Sequence, residues 1–70
     1  MNNRLKEIRK EYDVNQDDLA NILKVSRQTI SSIENGRYNP SILLALKIAS
    51  YFKLSVEEIF IYEKENENEY

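Results

Sequence analysis

The stretch from Gln16 to Asn35 constrains this chain more than any other part of its sequence. Its apolar and small residues are spaced for two short helices that cross at a tight turn: Leu19, Ala20, Leu23, Val25, Ile30 and Ile33. The other side of the second helix is polar along its length and carries neither lysine nor an acidic residue. Helical periodicity separates these two sides. We therefore predict a helix pair whose second member packs on one side and faces outward on the other.

The polar side of this second helix consists of short hydroxyls, amides and one guanidinium: Arg27, Gln28, Ser31, Ser32 and Asn35. Surface helices usually carry Lys and Glu there, whereas these groups suit the edges of DNA bases. Gln bonds adenine at two points, Arg does so with guanine, and Ser accepts either partner. A solvated helix face of low charge explains the composition equally well. The small and apolar residues before the helix favour a DNA-binding helix-turn-helix.

The remaining pattern predicts an all-α fold, a compact bundle of five short helices at about 4–11, 16–23, 27–34, 41–52 and 56–60. Asn15 and Ser26 are suited to cap the second and third helices, and Ser55 with Glu58 fits a capping box for the fifth. The fourth helix has almost no polar face, so we expect it at the buried centre. Ile61 and Tyr62 are still apolar, and we expect a short extended segment there.

Length and composition limit the alternatives. Seventy residues with 41% apolar content support one domain, which we place at 1–62, followed by an acidic, flexible tail at 63–70. The chain has no Cys and no His, which excludes a disulfide framework and Cys/His zinc sites, and we predict no metal or cofactor. It shows no signal-peptide core and no apolar run of membrane-spanning length, so we expect a soluble, cytoplasmic protein without membrane association.

The charge is unevenly distributed. Residues 1–53 hold nine basic and six acidic side chains, whereas 54–70 hold one basic and six acidic. The net charge of −2 therefore reflects the C-terminal quarter. The first three quarters carry a positive balance that can face phosphate.

The order of residues through the helix pair and beyond it resembles the Cro/CI (XRE-type) repressor family. The similarity lies in Gln16, Leu19-Ala20, Leu23-Lys24-Val25-Ser26, Ile30, Ile33-Glu34-Asn35-Gly36, Arg37-Tyr-Asn-Pro-Ser41, Leu46-Lys-Ile-Ala49 and Leu54-Ser-Val-Glu-Glu-Ile-Phe60. It covers about residues 3–61 and is greatest to the small stand-alone dimeric repressors. The resemblance implies a homodimer that binds an inverted-repeat operator in double-stranded DNA, with helix 3 in the major groove. It also implies a small β-element near the C-terminus.

The resemblance also assigns roles to single residues. Those at the family's base-contacting positions are Arg27, Gln28 and Ser32, with Thr29 and Ser31 as neighbours able to reach base or phosphate. Those at phosphate-contacting positions are Gln16, Asn35 and Arg37. Arg9 and Glu34 match a pair that ties helix 1 to helix 3, which we expect to be a surface salt bridge worth about 0–1 kcal/mol.

Lys24 departs from the family pattern, which usually has Gly in this turn. If the turn keeps a left-handed conformation, Lys costs roughly 1 kcal/mol relative to Gly. A phosphate contact through Lys24 would recover part of this cost, and a tolerated surface lysine explains it as well.

A homodimer needs an interface, and the C-terminal part of the domain offers apolar residues beyond those a small bundle can bury: Tyr51, Leu54, Val56, Ile59, Ile61 and Tyr62. The alternative is that they only cap the core of a small domain. One recognition helix contacts too few base pairs to define an operator, and two-fold pairing about 34 Å apart solves this.

Two other classes of function compete with a repressor. An antitoxin-like protein would use the same fold to bind a protein partner, with DNA binding secondary, but residues 63–70 are short for such a role. An enzyme is disfavoured, because the adjacent acids Asp17-Asp18 and Glu57-Glu58 point to different faces of a helix. No ligand pocket is evident, so regulation would come from abundance, an unknown protein partner or competition at the operator.

Overall fold

The computed structural model describes residues 2–61, and within them it contains five helices and two short strands. Tyr62 and the predicted tail at 63–70 lie outside the described residues. In chain order the elements are β1 (Asn2–Asn3), α1 (Leu5–Glu11), α2 (Gln16–Leu23), α3 (Arg27–Glu34), α4 (Ile42–Phe52), α5 (Val56–Ile59) and β2 (Phe60–Ile61). The predicted five-helix fold is confirmed.

Side chains just before four of the helices satisfy the free backbone amides at the helix starts. Asn15 accepts a hydrogen bond from the amide of Asp18 at 2.7 Å, and Ser26, Ser41 and Ser55 make the equivalent bond at 3.1–3.2 Å. Such a cap contributes about 1 kcal/mol. Ser55 and Glu58 complete the reciprocal capping box, as the sequence predicts.

Four helices end in the same backbone motif, a left-handed residue flanked by two hydrogen bonds to the last turn. The left-handed residues are Asp13, Lys24, Gly36 and Lys53, with φ of 58–75°. After α3, for example, Gly36 N–H donates to the carbonyl of Ile33 and Arg37 N–H to that of Ser32, both at 3.0 Å. The expected left-handed Lys24 is therefore present, and Asp13 and Lys53 adopt the same conformation without a sequence signal for it.

The core is formed by one cluster of buried apolar residues from all five helices and β2: Leu5, Ile8, Leu19, Ala20, Leu23, Ile30, Ile33, Leu44, Ile48, Ala49, Phe52, Ile59 and Phe60. Val25 packs against this cluster from the turn between α2 and α3. Ile59 is completely buried within it. It is therefore a core residue, and its predicted place in a dimer interface is wrong because no partner could reach its side chain.

The prediction that α4 lies at the buried centre of the bundle is also wrong. The helix buries Leu44, Ile48, Ala49 and Phe52, but it leaves Ile42, Leu43 and Leu46 exposed to 81%, 64% and 53%. An apolar composition on all sides normally indicates a fully buried helix. Here the other helices cover only one side of α4, because a bundle this small cannot surround an eleven-residue helix. The described part of the chain thus carries an apolar outer face.

The two strands join opposite ends of the described chain. They pair antiparallel, with Asn2 opposite Ile61 and Asn3 opposite Phe60. Asn3 also donates from Nδ2 to the carbonyl of Ile33 at 2.8 Å, which attaches β1 to the end of α3. The β-element near the C-terminus is confirmed, although its partner strand was not predicted. No helix within residues 2–61 is long and apolar enough to span a bilayer.

Candidate nucleic-acid interface

The outer side of α3 is the most distinctive polar surface of the described chain. We call it the polar face of α3, and it comprises Arg27, Gln28, Thr29, Ser31 and Ser32. Arg27 and Gln28 are exposed, and the three hydroxyl residues are partly buried. On the opposite side of the helix Ile30 and Ile33 are completely buried. The predicted division of α3 into a packed side and an outward polar side is therefore present.

Packing of α2 against α3 fixes the direction in which this face points. Leu19, Ala20 and Leu23 of α2 share the core cluster with Ile30 and Ile33 of α3. Ala20 is buried where the two helices approach, and its small side chain permits the close crossing. The two helices and the turn at Lys24 thus form the predicted helix-turn-helix.

A buried ion pair joins α1 to the C-terminal end of α3. Arg9 Nε donates to Glu34 Oε2 at 2.6 Å and Arg9 Nη2 to Glu34 Oε1 at 3.2 Å, while Nη1 donates to the carbonyl of Val14 at 3.0 Å. The two side chains are only 10% and 2% exposed. The predicted pairing is present, but the prediction that it lies on the surface is wrong, because both side chains are buried. Removing one partner of a buried ion pair leaves the other charge buried without a counter-charge.

Gln16 extends this pair to the start of α3. Its Nε2 donates to Glu34 Oε1 at 3.0 Å, and its Oε1 accepts from Arg27 Nε at 3.3 Å. Arg27 Nε also lies 3.7 Å from Asp17 Oδ1, in an exposed pair. A chain of side-chain contacts thus runs from Arg9 through Glu34 and Gln16 to Arg27. The amide nitrogen of Gln16 retains one further hydrogen for an external acceptor.

The residues after α3 frame the other end of the polar face. Asn35 and Arg37 are exposed on either side of Gly36, and Asn35 Nδ2 lies 3.5 Å from Ser31 Oγ. Arg27 and Arg37 therefore place a guanidinium near each end of the helix. Arg37 is exposed beside the final turn of α3, where its cation is available to an external anion.

Tyr38 belongs to this surface, although sequence reasoning did not assign it a role. It is 46% exposed and borders a shallow depression with four residues of the helix start and polar face: Ser26, Gln28, Thr29 and Ser32. The available signal was an aromatic residue in a polar loop immediately before Asn39-Pro40. Its place in the depression beside the polar face of α3 makes it part of the candidate contact surface.

Lys24 lies elsewhere. It borders a groove between α2 and α4 with Ile22, Leu23, Lys47, Ser50 and Tyr51. The structure does not bring it to the depression beside the polar face of α3. The predicted phosphate contact of Lys24 therefore stays a prediction.

A lowered pKa occurs away from this surface, at the start of α5. Glu58 has a pKa below its ordinary value because its carboxylate accepts a hydrogen bond from the backbone amide of Ser55, but it lies on α5 and caps that helix. Among residues 2–61 no group of His, Cys, Asp or Glu side chains is arranged to hold a metal ion. The surface is built for hydrogen bonding and charge attraction.

Comparison with known proteins agrees with this geometry. A family model described as helix-turn-helix matches residues 5–59. The chain is 54% identical over 63 residues to an HTH-type transcriptional regulator of Methanocaldococcus jannaschii, covering 90% of this chain and 96% of that protein. It is 44% identical over 66 residues to the HTH-type transcriptional regulator YgzD of Bacillus subtilis, covering 94% of this chain and all of that protein.

Solved structures show the same fold. The restriction-modification controller protein C.AhdI from Aeromonas hydrophila superposes with a TM-score of 0.73 at 30% identity, covering 81% of this chain and 86% of that chain. A transcriptional regulator from Listeria innocua gives a TM-score of 0.74 at 26% identity, covering 99% and 68%. With the helix pair, its polar face and these similarities together, the chain belongs to the Cro/CI (XRE-type) helix-turn-helix family and is a DNA-binding transcriptional regulator.

Proposed function

We propose that the protein is a transcriptional repressor that binds an inverted-repeat operator as a homodimer, with α3 in the major groove of each half-site. The observation that carries this proposal is the polar face of α3. It offers amide, hydroxyl and guanidinium groups on a helix whose other side is completely buried. A B-DNA major groove admits one α-helix and presents matching donors and acceptors.

Within the groove, each position of the polar face has a distinct task. Arg27 contacts guanine and Gln28 contacts adenine, since each can form two parallel hydrogen bonds with that base. Ser32 contributes a third base contact one turn further along the helix. Thr29 and Ser31 lie beside these residues and contact either a base edge or a neighbouring phosphate.

Phosphate contacts position the helix without selecting a sequence. Gln16 is suited to this because its amide is held by Glu34 and Arg27 and still has one hydrogen to donate. Asn35 and Arg37 supply the contacts on the other side of α3. Lys24 is omitted, because its groove between α2 and α4 is separate from this surface.

The second copy of the chain is proposed to cover apolar surface on α4, α5 and β2. Of the predicted interface residues, Tyr51 and Ile61 are exposed and Leu54 and Val56 are partly buried. The exposed Ile42, Leu43 and Leu46 add apolar surface from the other part of α4. Exposed apolar patches of this kind mark protein contacts.

Regulation rather than structural DNA binding is supported by the names of similar proteins. One relative, 37% identical over 59 residues and matching 83% of this chain and 80% of its own length, is the control protein C.MunI from a Mycoplasma species. If the operator overlaps a promoter, the bound protein blocks transcription from it and so acts as a repressor. Transcription from such a promoter in vitro, with and without the protein, tests the direction of control, and increased transcript would contradict repression.

The decisive experiment is selection of bound sequences from random duplex DNA with the intact protein. We expect an inverted repeat whose half-site centres lie about 34 Å apart, one helical turn. Enrichment of a site without two-fold symmetry, or of no site, would contradict the proposal. In parallel, equilibrium sedimentation at tens of micromolar protein should give the mass of a dimer, and a monomer would exclude the dimeric arrangement.

Two variants separate base contacts from phosphate contacts on the selected site. Gln28→Ala should weaken binding by about 1–3 kcal/mol and relax the preference at one base pair in each half-site. Arg37→Ala should weaken binding to all sequences alike and reduce the slope of affinity against salt by about one for each phosphate that Arg37 neutralises. If Gln28→Ala binds the selected site as well as the unaltered protein, the placement of α3 fails.

A further inference from the structure

The depression beside α3 has a feature that the assigned contacts do not use, namely the ring of Tyr38. Tyr38 is 46% exposed and lines a hollow of about 260 Å³ together with Gln28, Thr29 and Ser32. These three residues belong to the polar face of α3. An aromatic side chain is thus placed next to the groups proposed to contact bases.

The position of Tyr38 is fixed relative to α3. Its backbone N–H donates to the carbonyl of Ser32 at 3.3 Å, and the preceding Arg37 N–H donates to the same carbonyl at 3.0 Å. Two residues later Pro40 restricts the backbone further. The backbone that carries the ring is therefore attached to the C-terminal end of α3.

The hollow has a polar and an apolar part. Gln28 and Ser32 provide an amide and a hydroxyl for hydrogen bonds. The Thr29 hydroxyl is already engaged, because its Oγ1 lies 2.9 Å from Ser26 Oγ at the helix cap. This leaves the Thr29 methyl for apolar contact, alongside the ring of Tyr38.

This combination matches one base pair in particular. In the major groove an A·T pair presents the N6 and N7 of adenine and, on its partner, the C5-methyl of thymine. The other three groups read in that groove, the guanine and cytosine edges and the thymine O4, are polar and gain nothing from an aromatic ring.

We propose that Tyr38 is a specificity-determining residue, whose ring together with the Thr29 methyl contacts the C5-methyl of a thymine at or beside the adenine contacted by Gln28. This inference rests on the proposed placement of α3 in the major groove. It adds an apolar contact outside the recognition helix to the hydrogen bonds made from it.

The test uses the intact protein and the operator found by selection, with each thymine replaced in turn by deoxyuridine, which lacks only the methyl group. One replacement in each half-site should weaken binding about fourfold per half-site, the value of one buried methyl group. With Tyr38→Ala, binding to the thymine operator should fall by at least about fourfold, and the deoxyuridine replacement should have a clearly smaller effect, since only the Thr29 methyl then remains to contact the thymine methyl. Tyr38→Phe, which removes only the hydroxyl, should retain both affinity and methyl sensitivity.

Three results would overturn the inference. They are the absence of any deoxyuridine effect, an equal effect in Tyr38→Ala, and a reduction in Tyr38→Phe as large as in Tyr38→Ala, which would mark a phosphate contact through the hydroxyl. The deoxyuridine series with the unaltered protein needs no variant to fold, and circular dichroism checks Tyr38→Ala. Failure of the proposed function appears differently, as the lack of a selected site or as no effect of Gln28→Ala.

Discussion

Helices α3 and α4 expose opposite kinds of surface. The outer side of α3 carries hydroxyls, an amide and a guanidinium, whereas the outer side of α4 carries Ile42, Leu43 and Leu46. Both helices bury their other side in the same core. The core therefore does not determine what either helix presents to its surroundings.

Each outer face is therefore suited to a different kind of partner. Hydrogen-bonding groups on α3 gain by meeting base edges, which offer matching groups in place of water. Aliphatic side chains on α4 gain only by leaving water, which requires another apolar surface. A substitution on the outer face of one helix should therefore leave the binding property of the other helix's outer face unchanged.

We expect the largest effect from loss of the buried Arg9–Glu34 ion pair, which joins α3 to α1. Glu34→Ala leaves the Arg9 guanidinium buried without its partner, so we expect the free energy of unfolding to fall by about 3–5 kcal/mol. Chemical denaturation measures this. Asp17→Ala is the matched control, since it removes the exposed partner of Arg27 and should cost about 0–1 kcal/mol. Equal reductions in the two variants would show that Glu34 is no more than a surface charge.

The next largest effect is expected from substitutions on the outer side of α4, which should weaken the dimer without touching the outer side of α3. Leu43→Lys combined with Leu46→Lys should weaken the dimer by about 2–4 kcal/mol, because two leucine side chains would no longer leave water at the interface. Sedimentation measures this, and Lys6→Glu on the exposed side of α1 is the control. Gln28→Ala should leave the mass unchanged. A dimer that tolerates both lysines would mean that this part of α4 lies outside the interface.

A smaller effect compares how the two helices end. Both are followed by a left-handed residue, which is Gly36 after α3 and Lys53 after α4. Lys53→Gly should stabilise the protein by up to about 1 kcal/mol, because glycine adopts this conformation without the clash of a Cβ atom. Lys53→Ala keeps the Cβ atom and is the control. The same thermal stability in both variants would place the effect in removal of the lysine side chain instead.

The smallest effect concerns α5, which packs against α4. The lowered pKa of Glu58 means that its charged form stabilises the folded state above the pKa of the unfolded chain, and this contribution disappears as pH falls through the folded value. Glu58→Gln keeps a side-chain acceptor for the Ser55 amide but removes the charge. Its melting temperature should be slightly below that of the unaltered protein at pH 7, and the difference should shrink as the pH is lowered through the folded-state pKa of Glu58. A constant difference across this range would exclude the charge as the cause.

The sequence predicted much of the fold, because local patterns carry that information. The capping residues Asn15, Ser26 and Ser55, together with the apolar spacing, located the helices within about a residue of their observed bounds. The strand Asn2–Asn3 was missed because two polar residues show no strand pattern, and its pairing depends on Phe60 at the other end of the domain.

The sequence predicted which side chains share the polar face of α3, but not the environment of the neighbouring ion pair. Sequence spacing placed Arg27, Gln28 and Ser32 on one side of α3, as observed. It did not show that the Arg9–Glu34 pair is buried, because burial depends on how three helices meet. Likewise an apolar α4 indicates that the helix packs, but not how much of it the other helices cover. Tyr38 was missed because a loop residue has no periodicity to place it.

The pairing of β1 with β2 has a consequence for the order in which the molecule assembles. Asn3 and Phe60 become neighbours only when nearly the whole chain has been closed into a loop, a step that costs conformational entropy. The helices form from contacts close in sequence, so the pairing of β1 with β2 should form last and open first. Amide hydrogen exchange at Arg4, whose N–H donates to the carbonyl of Ile59, should then be faster than exchange at Ile30 in the core, because exchange reports which part of the molecule opens more readily.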